Sequence, residues 1–108
     1  MVERNHPFTR TDAKTIERLI EDDHVGINHM VLGKGDALPE HFANSNVYMI
    51  VVRGAVQLVL DDHEAKSYPA GSILSIPFRT KMNVSNVGDA VLEFFVVKAP
   101  SPRSMQGM

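Results

Sequence analysis

Seven short segments that predict strands follow residue 24, and turn-forming residues end each of them. They span residues 25–32, 46–52, 55–60, 63–68, 72–76, 81–86 and 90–97, with Gly, Pro, Asp or Asn in the breaks. Residues 63–68 are polar and predict an edge strand, whereas the other six contain regularly spaced or continuous apolar residues. Runs of this length with such breaks are typical of antiparallel sandwiches and barrels. Parallel strands need a long crossover connection, usually a helix, and the sequence contains none. The sequence therefore predicts an all-β fold.

The residues before position 24 have a different spacing. Between residues 12 and 23 the apolar residues are three or four positions apart: Ala13, Ile16, Leu19 and Ile20. This spacing places them on one face of a short helix, which Thr11 or Asp12 would cap. An extended arm laid against the barrel is the alternative. We expect an arm with a short helix over 1–24, a β-barrel over 25–98 and a flexible tail over 99–108.

Composition limits the classes of function. A length of 108 residues fits one domain, and a formal net charge of -2 gives no basic excess for nucleic acid or an anionic membrane. The absence of cysteine excludes disulfides, thiolate zinc sites, iron–sulfur clusters and cysteine nucleophiles. Residues 1–6 lack the apolar core of a signal peptide, and no run approaches the roughly 18 apolar residues of a membrane-spanning helix. We expect a cytoplasmic protein with neither nucleic acid nor membrane as a partner.

Two groups of residues have spacings that go beyond fold class. In the first, Gly35 is followed by five residues and then His41, and Gly54 closes the strand predicted over 46–52. The second consists of Pro69, Gly71, Ile76, Pro77 and Asn86. Over residues 25–97 this framework resembles the cupin family. The resemblance implies a double-stranded β-helix, or jelly-roll barrel.

The same alignment implies that the usual metal site of the family is dismantled. His41 falls on the first metal-ligand histidine of the cupin motifs. The other three ligand positions hold apolar side chains: Ala43, Val47 and Met82. A divalent metal needs three or four ligands that converge on one point. The resemblance therefore implies no resident metal cofactor. The alternative is a divalent metal held by a non-standard set, namely His29, His41 and Met82.

The inward-facing positions predict an apolar pocket. Because side chains alternate along a strand, positions 47, 49 and 51 share one face, as do positions 82, 84 and 86. The predicted ligand-binding residues are His41, Met49, Val51, Met82 and Asn86. His41 either serves a ligand as a hydrogen-bonding group or an acid or base, or is a barrel-mouth histidine satisfied by backbone or water. Met82 is either a pocket wall or core filler.

Three functions are compatible with these residues. The first is a metal-free or weakly metal-binding barrel that holds an unidentified small molecule beside His41. The second is a metal-dependent cupin enzyme of the dioxygenase, isomerase or decarboxylase type, with a non-standard ligand set that includes His41. The third is a structural protein whose barrel is filled by its own side chains. Whether the chain is an enzyme stays open at this point.

The strand predicted over 46–52 is apolar on both faces. Tyr48, Ile50 and Val52 alternate with the inward residues and also need cover. Residues 91–97 have the same character. Either the N-terminal helix or a second subunit would cover them. We predict a homodimer formed by sheet-to-sheet packing, which the cupin resemblance also implies.

Overall fold

The computed structural model describes residues 2–105 and folds them into two antiparallel sheets. The strands are β1 (Thr15–Glu21), β2 (Gly26–Leu32), β3 (His41–Phe42), β4 (Val47–Arg53), β5 (Ala55–Leu60), β6 (Lys66–Pro69), β7 (Ile73–Ile76), β8 (Lys81–Ser85) and β9 (Leu92–Lys98). Sheet A has the order β1-β2-β9-β4-β7, and sheet B has the order β3-β8-β5-β6. A short 3-10 helix, Pro102–Ser104, follows. The predicted all-β, double-stranded β-helix is confirmed.

The predicted N-terminal helix is wrong. Residues 15–21 form β1, which pairs along the edge of β2 from Thr15 opposite Val31 to Glu21 opposite Gly26. An isolated helix this short is marginal in water, whereas β2 offers a row of unpaired backbone groups. A bulge between Arg18 and Ile20 shifts the register. The apolar spacing of three and four therefore belongs to a bulged strand.

The bulge explains why this segment looks helical in sequence. Ile16 lies opposite Met30, on the face of sheet A that meets sheet B, whereas Ile20 lies opposite Ile27, on the outer face. Residues four positions apart in a regular strand would share a face. The extra residue sends the two isoleucines to opposite faces, so no simple period of two can be seen.

The core lies between the two sheets. Sheet A contributes buried side chains from β2, β4, β7 and β9, and sheet B contributes buried side chains from β5 and β8. The largest of these are Leu32, Met49, Ile76, Leu92 and Phe94, each less than 2% exposed. Met49, Val51 and Val84 are inward, as the alternation predicts.

Gly54 turns the chain from sheet A into sheet B, between β4 and β5. Its φ is 71°, and a Cβ built on it would lie 2.4 Å from the carbonyl oxygen of Val91. Only glycine combines this left-handed conformation with so close a backbone approach. Gly54 therefore fixes the corner that places β4 and β5 on opposite sides of the core.

The described part of the C-terminal region packs on the barrel. The amide of Ala99 donates to the carbonyl of Asn46 at 3.1 Å, and the hydroxyl of Ser45 donates to the carbonyl of Pro100. Arg103 Nε donates to Asp23 at 2.9 Å. Ala99, Pro100 and Arg103 therefore hydrogen-bond to the rest of the described chain, and the flexibility expected over 99–108 stays a prediction. The last residues of this range, 106–108, lie outside the described residues.

Within residues 2–105, no helix has the length and apolar character needed to cross a bilayer.

Candidate functional site

A cavity of about 310 Å³ lies between the inner faces of the two sheets. Its walls are mostly aliphatic or thioether groups: Ile16, Met30, Leu38, Pro39, Ala43, Val47, Met49, Met82, Val84 and Val96. Three side chains add polarity: His41, Asn44 and Lys98. Ile16, Pro39, His41 and Asn44 are exposed, so the cavity opens to solvent on this side. A volume of this order and an apolar wall are typical of sites for small molecules.

The four positions aligned with the metal ligands of cupins converge on this cavity. His41, Ala43, Val47 and Met82 all line it. Met82 pairs directly with His41 across β8 and β3, and Val47 and Ala43 are buried. The motif alignment made from the sequence therefore groups four positions that share one cavity, and their role in binding stays a prediction.

His41 presents one free ring nitrogen. Its side chain is exposed, and Nδ1 lies 2.9 Å from the carbonyl oxygen of Pro39. A carbonyl oxygen can only accept, so Nδ1 carries the hydrogen and donates. The neutral ring then leaves Nε2 as an acceptor with an available lone pair.

Lys98 is a site residue that the sequence reasoning missed. On β9 it continues the inward row of Phe94 and Val96, two residues further on. Burial lowers the pKa of its ammonium group, and the charge of Arg18 lowers it further while that of Glu21 opposes the change. The alternation along β9 was the available signal, because it predicts that a residue two positions after Val96 faces inward.

Two predicted pocket residues lie elsewhere. Val51 is buried in the core opposite Phe94 but does not line the cavity. Asn86 Nδ2 donates to the carbonyls of Leu32 and Ala90 at 3.0 and 2.9 Å. Its Oδ1 accepts from the amide of Gly88 at 3.1 Å. The amide of Asn86 is thus used to fix the turn after β8 and is not directed to a ligand.

His29 lies on the outer face of sheet A and so cannot join His41. Its side chain is fully buried, with Nδ1 at 2.8 Å from Glu17 Oε1 and Nε2 at 2.6 Å from Glu93 Oε2. Arg53 Nε donates to the other oxygen of Glu93 at 2.7 Å. We call Glu17, His29, Arg53 and Glu93 the outer-face cluster. Phe8 packs over His29 with ring centroids 4.8 Å apart.

The donor set does not fit a metal ion. The alternative ligands His29, His41 and Met82 are not brought together, because His29 is on the other face of sheet A. Among residues 2–105, no group of three or more His, Cys, Asp or Glu side chains is placed to hold one. At the cupin ligand positions a single imidazole faces three side chains without nitrogen or oxygen donors, which falls short of a stable site.

Fold and cavity together define the class of protein. Two antiparallel sheets with a ligand-sized cavity between their inner faces form a double-stranded β-helix barrel. No protein-family model matches the chain. An uncharacterized protein of Methanocaldococcus jannaschii is 44% identical over 107 residues, which cover 97% of this chain and 91% of that protein.

Solved structures give the family. The crystal structure of this same Methanocaldococcus jannaschii protein, described as an RmlC-like cupin family protein with a double-stranded β-helix fold, superposes with a TM-score of 0.96 at 41% identity, covering 99% of each chain. The chain therefore belongs to the RmlC-like cupin family. An RmlC-like cupin protein of Desulfovibrio desulfuricans shares the fold, with a TM-score of 0.74 at 24% identity over 93% of this chain and 97% of that one.

Proposed function

We propose that this cupin binds a small apolar molecule in the cavity between its sheets and does so without a metal. The observation that carries the proposal is the meeting of His41, Ala43, Val47 and Met82 around one cavity. The usual ligand positions still converge, but three of them offer only apolar contact. A cavity of about 310 Å³ among the described residues also argues against a barrel filled by its own side chains.

The wall chemistry supports an apolar occupant. Met30, Met49 and Met82 contribute three flexible thioether side chains to the lining, and methionine adapts its shape to varied ligands. Displacing water from such a wall contributes roughly 25 cal/mol per Å² of apolar area. His41 Nε2 would then orient the ligand through one hydrogen bond.

A neutral aromatic probe, 2-naphthamide, tests this proposal by isothermal titration calorimetry. We expect saturable binding with one site per chain. Ala43→Leu places extra methyl groups in the cavity and should weaken binding at least tenfold. Ala65→Leu adds the same groups at an exposed turn outside the cavity and should leave binding unchanged. Absence of binding to the wild type, or equal effects of the two variants, would contradict the proposal.

A second variant controls for the possibility that Ala43→Leu disturbs the fold by overpacking the barrel. Met82→Ala enlarges the cavity and should change the affinity for 2-naphthamide while the circular dichroism spectrum stays that of the wild type.

Elemental analysis of protein purified without chelators tests the proposal that the cavity binds its ligand without a metal. Stoichiometric Fe, Mn, Ni, Zn or Cu that disappears in His41→Ala would overturn it.

We also propose that the outer face of sheet A pairs with a second copy of the chain. Phe8 covers His29 and Phe95 on this face, but Tyr48, Val52 and Ile73 are 39%, 43% and 68% exposed. Light scattering coupled to size exclusion should give the mass of a dimer. Ile73→Lys should shift the protein toward the monomer, and a wild-type monomer at micromolar concentration would refute the pairing.

A further inference from the structure

Lys98 brings a basic side chain to the lining of the apolar cavity, and it also borders an adjoining pocket of about 110 Å³ that Arg18 and Glu21 line as well. The register of sheet A puts Lys98 in one inward row with Val47 and Ile76. Its side chain is half-buried, and no described residue forms a hydrogen bond or ion pair with it. An ammonium group that has lost part of its water and gained no partner is unfavourable, so the free protein leaves this charge uncompensated.

The neighbouring charges do not neutralise Lys98. Arg18 Nη1 and Glu21 Oε2 lie 3.6 Å apart and pair with each other. Both are on β1, which β2 separates from β9, and Glu21 and Lys98 lie on either side of Gly26. Since one cation and one anion of this pair cancel, the positive charge of Lys98 remains at the cavity wall.

A second polar group comes from the opposite sheet. His41 lies on β3 in sheet B, whereas Lys98 lies on β9 in sheet A, and both line the cavity. With Nδ1 bound to the carbonyl of Pro39, Nε2 can meet a polar atom of a ligand. A ligand head group between the two sheets would therefore contact an ammonium group on one side and an imidazole on the other.

We propose that the cavity selects apolar molecules that carry a carboxylate, with the carboxylate at Lys98 and the apolar body against the methionine and valine side chains. This inference rests on the proposed function, because it specifies the ligand class for the same cavity. A carboxylate compensates the ammonium charge through a charge-assisted hydrogen bond. The three methionines and Val96 line the same cavity, are each at most 9% exposed, and would keep water from the apolar body of the ligand.

The experiment compares 2-naphthoate with 2-naphthamide, which has nearly the same shape and no charge. Titration calorimetry at neutral pH should show at least tenfold tighter binding of the carboxylate to the wild type. Lys98→Met keeps the length of the side chain and removes the charge, so it should bring the two affinities within threefold. Lys98→Arg keeps the charge and should retain the preference.

The matched control is Lys66→Met, which makes the same chemical change on an exposed strand outside the cavity. It should leave the carboxylate preference intact. Equal wild-type affinities for the two probes, or a preference that survives Lys98→Met, would overturn the carboxylate inference while the apolar-ligand function stands. Failure of both probes to bind the wild type would overturn both proposals.

Discussion

Two histidines on opposite faces of the barrel show what separates a structural residue from a site residue. His29 is fully buried, and each ring nitrogen lies within 2.8 Å of a carboxylate oxygen. His41 is exposed, with one ring nitrogen bound to a backbone carbonyl and the other available. Both lie on β-strands, His29 on β2 and His41 on β3. The comparison shows that a structural histidine is recognised by having both ring nitrogens bound within the protein. Neither residue type nor position on a strand makes this distinction.

The outer-face cluster uses this capacity to hold the N-terminal segment. Glu17 accepts hydrogen bonds from the amide and hydroxyl of Thr9 at 2.8 and 2.9 Å. Arg53 donates to Asp12 at 2.7 Å and to the carbonyl of Thr11 at 2.8 Å. The cluster thus ties residues 9–12 to sheet A. The cavity contains no comparable network among the described residues, so its polar groups remain available.

The largest difference in stability is expected between the variants that remove the imidazole of His29 and that of His41. His29→Ala leaves Glu17 and Glu93 without their shared partner in a largely buried setting, and should lower the free energy of unfolding by about 3 kcal/mol. His41→Ala removes an exposed ring and should change it by less than about 0.5 kcal/mol. Urea denaturation measures both variants. Equal losses of stability would break the distinction between the two histidines.

Acid should weaken the outer-face cluster through its two carboxyl groups, Glu17 and Glu93. Burial raises the pKa of Glu93, but hydrogen bonds from His29 and Arg53 outweigh it, and its pKa lies below the ordinary 4.5. Hydrogen bonds from the amide of Thr9 and from His29 also lower the pKa of Glu17. Carboxyls with a lowered pKa in the folded state stabilise it above their unfolded pKa, and this contribution is lost as pH falls through the folded value.

The measurement is the free energy of unfolding of the wild type and Glu93→Gln from pH 7 down to pH 3. The wild type should lose stability as pH falls below 4.5, the ordinary value for these carboxyls. Glu93→Gln should show a shallower fall, because one of the two linked groups no longer titrates. Glu64→Gln, at an exposed position, should follow the wild-type curve. Parallel curves for Glu93→Gln and wild type would contradict the linkage.

A smaller effect should come from the aromatic cover of the cluster. Phe8 is 43% exposed and stacks edge-on against Phe95 with ring centroids 4.9 Å apart, as well as packing on His29. Phe8→Ala should lower the free energy of unfolding by about 1 kcal/mol. Phe42→Ala, at a residue 64% exposed, should cost less than about 0.5 kcal/mol. If Phe42→Ala lowered the free energy of unfolding more than Phe8→Ala, the proposed stabilisation of the outer face by Phe8 would be contradicted.

The barrel could be predicted because glycine and proline mark its turns in the sequence. The spacing of Gly35, Gly54, Gly71 and Pro77 relates local turn chemistry to the corners of a known fold. β1 could not be predicted this way. Its bulge disrupts the alternation, and its pairing depends on the edge of β2, which no local pattern encodes.

The residues that line the cavity could be predicted in part from the sequence. The prediction failed for residues whose face on the sheet the sequence does not determine. His41 and Met82, which the motif alignment singled out, line the cavity, and so does Met49, which the alternation along its strand predicted to face inward. The face occupied by His29 could not be decided, because Met30 and Leu32 are buried on one face of β2 and His29 and Val31 on the other. Alternation gives two sets of residues, but only the packing of the sheets says which set faces inward.

The corner at Gly54 restricts which amino acids the chain can accept at this position. With φ at 71° and Val91 2.4 Å from any added carbon, a saturation library should return glycine alone at this position. Gly35 has a φ of 81° and no heavy atom within 4 Å of an added carbon, so it should admit asparagine or aspartate. Mutational tolerance at two glycines of one barrel should therefore differ sharply, and backbone crowding rather than backbone angle sets the difference.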